Sequence, residues 1–130
     1  MKKSSLLLLS FSLTVILWCL NYVALIFYLY WTTVWYDILM HLAGGLAIGS
    51  LVILLFRINK RSAGAFAIVF LVTMAVAISW EIFEYLIGET FSIEGYVIDT
   101  TLDLVLDAIG AILVYLLTTR SVTSRFQQFS

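Results

Sequence analysis

From Arg57 to Ile87 the chain reads RINKRSAGAFAIVFLVTMAVAISWEIFEYLI. Three cations lie within its first five residues; no charge follows until Glu81, and Glu84 comes three positions later. About 20 uncharged, mostly apolar residues are what an α-helix needs to cross the hydrocarbon core of a bilayer. In hydrocarbon every backbone N–H and C=O must be satisfied within the segment, and this run is far too long for a barrel strand. The stretch therefore predicts a transmembrane helix with a basic end and an acidic end.

The rest of the chain repeats that polarity. Further spans are predicted over about 5–30, 36–56 and 100–117, with the quoted one over 63–87. The seven Lys and Arg residues are Lys2, Lys3, Arg57, Lys60, Arg61, Arg120 and Arg125. The eight acids are Asp37, Glu81, Glu84, Glu89, Glu94, Asp99, Asp103 and Asp107. If all four segments cross, every cation falls on one side and every acid on the other. Because Lys/Arg-rich ends stay cytoplasmic, both termini are expected inside the plasma membrane and the acidic ends outside. Tyr28, Tyr30, Trp31, Trp35 and Tyr36 cluster at the first outer turn, where an interfacial aromatic belt is expected.

Composition agrees with a single all-α integral membrane domain over residues 1–130. Hydrophobic residues make up 63% and charged residues 12% of the chain, far from the balance of soluble domains. The first apolar run continues past the length of a signal peptide without an A-x-A pattern, so it reads as a retained span. One cysteine, Cys19, excludes an intramolecular disulfide. There is no basic patch of the kind that binds nucleic acid.

The acids have no cation on their own side. Asp37 and His41, the only histidine, are four apart at the outer end of the second helix and share a face. Glu81 and Glu84 share a face of the third, and Asp99, Asp103 and Asp107 form a stripe on the fourth. A charge at the bilayer centre costs at least about 2.5–3.5 kcal/mol, so these faces are expected to turn toward one another. A divalent cation would neutralise them. His41, Glu84, Asp103, Asp107 and Asp37 are the expected ligands, with Mg, Mn or Zn as the ion and Glu81 as the catalytic base. Such a centre would suit a hydrolase or transferase acting on a membrane lipid or lipid-linked envelope substrate. The alternatives are a proton- or cation-coupled transport module and a non-catalytic envelope or assembly protein.

Bland roles are expected for other residues. Glu89 and Glu94 read as solvated loop acids, and Asp99 or Thr100 as a cap of the last helix. Asn21 is expected to hydrogen-bond another helix, and Ser79 and Trp80 to line the pocket. Gly45 and Gly49 make a G-x-x-x-G stripe, with Gly110 and Ala111 as its counterpart. Its first expected use is close packing within the chain, and its second a homo-oligomer.

The stretches Asp37-Ile-Leu-Met-His41-Leu-Ala-Gly44, Trp80-Glu81-Ile-Phe-Glu84-Tyr85 and Asp99-Thr-Thr-Leu-Asp103-Leu-Val-Leu-Asp107-Ala-Ile-Gly110-Ala111 resemble the YjdF-type family of small bacterial membrane proteins. They are similar, more distantly, to VanZ-like membrane proteins. The resemblance spans about Asp37 to Ala111. It implies the same helical topology and the same choice of polar residues, and it carries no assigned reaction.

Overall fold

The computed structural model describes residues 3–56, 58, 64–87 and 95–126, apart from the side chains of Val34 and of 120–126. The basic loop residues Arg57, Lys60 and Arg61 and the loop acids Glu89 and Glu94 lie outside the described residues. The chain is helical almost throughout: α1 Lys3–Phe27, α2 Leu29–Thr32, α3 Val34–Leu55, α4 Ala65–Ile87 and α5 Tyr96–Phe126. The four long helices are each long and apolar enough to span a membrane, over Lys3–Phe27, Trp35–Leu55, Ala65–Leu86 and Tyr96–Thr119.

Three helix ends differ from expectation, the last helix running on to Phe126 instead of ending near 117. The first span, expected to run to Tyr30, breaks at Tyr28, which adopts a left-handed backbone (φ 55°) and starts the single turn α2. That reversal lets Tyr30 donate from its hydroxyl to Asn21 Oδ1 at 2.9 Å, giving Asn21 its inter-helix partner. It also lets Tyr36 donate to the Leu20 carbonyl at 2.8 Å. Tyr36 is thus buried, not part of the aromatic belt, whereas Tyr28, Trp31 and Trp35 are exposed as a belt requires. The last helix begins at Tyr96, so Asp99 lies inside its first turn and is not its cap.

Neighbouring helices run in opposite directions. Leu6 near the start of α1, Val52 and Ile53 near the end of α3, Val69 near the start of α4 and Val114 in the second half of α5 form one apolar cluster. The opposite end of the bundle therefore gathers the end of α1, the start of α3, the end of α4 and the start of α5. The outward faces carry exposed Leu, Ile, Val and Phe along every long helix, as contact with lipid requires.

The tightest pairing is α3 against α5. A Cβ on Gly45 would fall onto the backbone carbonyl of Asp107, and one on Gly110 would lie 2.6 Å from the Leu42 carbonyl oxygen. One on Gly49 would lie 2.7 Å from Val114 Cγ1. The glycine stripe is thus covered by α5 of the same chain, the first of its two expected uses. α1 packs on α3, and α4 on α3 and α5.

Candidate metal centre at the acidic end of the bundle

Backbone contact between α3 and α5 sets the first distance of the site. With Gly44 and Gly45 admitting α5, the Asp107 carboxylate reaches His41, and its Oδ2 lies 3.0 Å from Nδ1. An ionised carboxylate only accepts, so Nδ1–H donates to it, which leaves Nε2 as the ring nitrogen open to a cation when the imidazole is neutral. That nitrogen faces three more carboxylates. Nε2 lies 3.7 Å from Asp37 Oδ1, 3.8 Å from Asp103 Oδ1 and 3.9 Å from Glu81 Oε1.

None of those separations is a hydrogen bond. Donor atoms about 2.0–2.1 Å from one shared ion stand about 3.3 Å apart in a tetrahedron and, in an octahedron, about 2.9 Å apart when cis and about 4.1 Å when trans. The observed 3.7–3.9 Å exceeds the tetrahedral and cis separations by about 0.4–1.0 Å, so a bound ion would draw these carboxylates inward. Two donor sets have their atoms within 4.8 Å of one another, Asp37 with His41 and Asp103, and His41 with Glu81 and Glu84.

Burial sharpens the point. His41, Glu81, Asp103 and Asp107 are buried in the bundle. Glu81 is only 5% exposed, and its Oε1 has no hydrogen-bond partner although it points at Nε2. A buried, unpartnered carboxylate oxygen is costly unless an ion or water meets it. Glu84 is half-buried at the edge of the cluster, where Trp80 Nε1 donates to its Oε1 at 2.8 Å.

Two cavities meet here. A cleft of about 390 Å³ lies between α1 and α4 over α3, and a smaller one of about 220 Å³ opens past Tyr96, Asp99 and Thr100. Asn21, Tyr30, Asp37, Trp80 and Glu84 line both. Trp80 therefore takes its expected place. Ser79 does not, since it is exposed and its hydroxyl donates to the Ala75 carbonyl of its own helix.

A family model described as a predicted membrane protein, DUF2238, matches residues 2–124. The chain belongs to this family. It is the family of the YjdF-type resemblance, and nothing in the match supports the VanZ-like one. No curated protein and no solved structure matches. The DUF2238 match covers all four candidate spans, so the carboxylate and histidine cluster lies wholly inside the matched region.

All six residues expected at the site come together, but not in the arrangement expected of them. The sequence reading makes Asp107 a ligand of the ion alongside His41. It lies on the opposite side of the imidazole, at Nδ1 rather than Nε2. Helical spacing places Asp103 and Asp107 on one stripe; the crossing of α3 and α5 decides which nitrogen each one faces. Tyr30 was missed as a site residue, because only the reversal at Tyr28 brings it over the cavities.

Proposed function

We propose that this DUF2238 protein holds a divalent cation, Mg, Mn or Zn, at the acidic end of its bundle and is a metal-dependent hydrolase or transferase. Its substrate is a membrane lipid or a lipid-linked envelope molecule. The observation that carries this reading is Nε2 of His41, oriented by Asp107 behind it and facing half-buried Asp37 and buried Asp103 and Glu81 at 3.7–3.9 Å. A histidine that donates its second N–H to a carboxylate is the usual outer-shell arrangement of a metal ligand. The ligands are then His41, Asp37, Asp103 and Glu81, with Asp107 as the positioning residue. Glu84, held by Trp80 where the two cavities meet, is the better-placed base. The bound cation would lower the pKa of a water and polarise the group it attacks. By the distribution of Lys and Arg, the centre faces the outer leaflet of the plasma membrane, with both termini inside.

A proton or cation relay fits less well. Among the described residues the far end of the bundle offers an apolar cluster and buried hydroxyls. Those of Ser10, Ser50 and Thr118 are spent on carbonyls of their own helices. Among the described residues no carboxylate or histidine continues the path inward from Asp107 to that cluster, where Tyr115 packs and Thr73 Oγ1 is buried without a partner.

Elemental analysis of protein purified in detergent without chelators tests the centre. About one equivalent of a divalent metal is expected in the wild type and none in His41→Ala or Asp103→Ala. A metal-free wild type, or full metal in both variants, would overturn the reading. Asp107→Asn should leave the fold intact and weaken metal binding about 10–100-fold, as loss of an outer-shell carboxylate does. Titration of the apo protein reads this directly, and unchanged affinity would remove Asp107 from its positioning role.

A further inference from the structure

The larger cavity is not needed to hold an ion. It is a groove, floored by α3 and walled by α1 and α4, with Thr14, Leu17, Ile48, Leu51 and Val76 along it and His41, Glu84 and Asp107 at its polar end. From Leu51 to His41 it runs ten residues of α3, about 15 Å at 1.5 Å per residue. Its lips are continuous with exposed Trp18, Val76 and Trp80 on the outer faces of α1 and α4. A groove of that kind within a bilayer stands open to hydrocarbon, and an aliphatic chain is the chemistry that fills it.

The polar end selects what that chain is attached to. Asp37, Glu84 and Asp107 line this cavity, and neither cavity is lined by any Lys or Arg among the described residues. A phosphate placed there would meet carboxylates and no protein cation to pair with. Depth says the same. His41 lies six residues below Trp35 of the exposed aromatic belt, about 9 Å along the helix. That is beneath headgroup level and close to where the acyl esters of a glycerolipid join its chains.

We propose that the groove between α1 and α4 takes one aliphatic chain of an ester-linked bilayer lipid and delivers its uncharged ester carbonyl to the His41 centre. This rests on the metal reading of that centre. The reaction is then deacylation. The oxygen of a water bonds to the acyl carbon, and Glu84 takes the proton it sheds. The bond from that carbon to the alkoxy oxygen breaks, and the proton passes on to the leaving alkoxide. A carboxylic acid and a lipid alcohol are the products, and no oxidant or further reactant is required.

The test uses the full chain in phosphatidylcholine vesicles doped with a phosphatidylcholine bearing a photoreactive diazirine in its acyl chain. After irradiation, label is expected on Leu17, Ile48 and Leu51 at several times the level on Leu71 and Leu113, which face outward on α4 and α5. Val76→Trp and Thr14→Phe should each lower groove labelling several-fold with metal content unchanged. They should also slow release of fatty acid from ester-linked lipid, and a diether lipid should release nothing. Label spread evenly over all lipid-facing positions, or fatty-acid release untouched by both variants, overturns the groove while bound metal leaves the centre standing. Label concentrated in the groove of a protein without metal overturns the centre and the deacylation, and leaves only a chain-binding site.

Discussion

Gly45→Leu is expected to cost the protein most of its folded population in detergent and all of its bound metal. The reason lies in what faces the glycine. Its Cβ would land on the backbone carbonyl of Asp107, and the reciprocal Cβ of Gly110 would lie 2.6–2.8 Å from the backbone of Leu42, Gly45 and Leu46. A clash with a side chain can be relieved by a rotamer change, but one with a backbone requires a whole helix to move. Overpacking of cores usually costs about 1–3 kcal/mol, and a clash between two backbones belongs at the upper end of that range or above it. Moving α5 away also withdraws Asp107 from His41, so packing and site fail together. Gly44→Ala is the internal control. Its Cβ would meet only the Asp107 side-chain oxygen at 3.3 Å, and a small shift of that carboxylate absorbs it. Thermal unfolding and metal content of the two variants side by side decide the matter. A Gly45→Leu protein that melts like the wild type with its metal in place would refute this account of the α3–α5 contact.

That contact also marks where the sequence could be read and where it could not. The spans were legible because hydrocarbon leaves the backbone no choice but helix, so an uncharged run such as 62–80 has one reading. The convergence of Asp37, His41, Glu81, Asp103 and Asp107 was legible for the same reason, since ionisable groups at membrane depth turn inward. Roles within the cluster were not legible. Helical spacing puts Asp103 and Asp107 on one face, yet they meet different nitrogens of one imidazole, and only the angle at which α5 crosses α3 settles which. Glu81 and Glu84 are likewise indistinguishable by spacing. The structure buries the first without a partner on its Oε1 and ties the second to Trp80. Tyr36 read as one more interfacial aromatic, because its partner, the Leu20 carbonyl, is reached only through the left-handed residue Tyr28.

Glu81→Gln is expected to reverse its effect on stability when metal is added. Without a cation, His41 is surrounded by Asp37, Glu81, Asp103 and Asp107 within 3.9 Å, and Glu81 Oε1 is satisfied by nothing. Leaving a buried polar group unsatisfied costs about 1–3 kcal/mol, more if it is charged. Replacing that carboxylate by a neutral amide of nearly the same shape removes the charge without opening a cavity. The metal-free variant should therefore melt above the metal-free wild type. With metal the order inverts. A ligand bound only by the folded state stabilises it by about 2.7 kcal/mol at 100 times its dissociation constant. The wild type gains that increment, while the variant, having exchanged an anionic ligand for an amide, gains much less. The measurement is a pair of melting curves for each protein, one after chelation and dialysis and one with Mn or Zn restored. The crossing is specific to a cation held among these carboxylates, because a purely structural Glu81 would make the variant weaker under both conditions. A variant less stable in both, or melting curves that ignore metal altogether, would mean that the carboxylates around Nε2 are held by protons and hydrogen bonds, not by an ion.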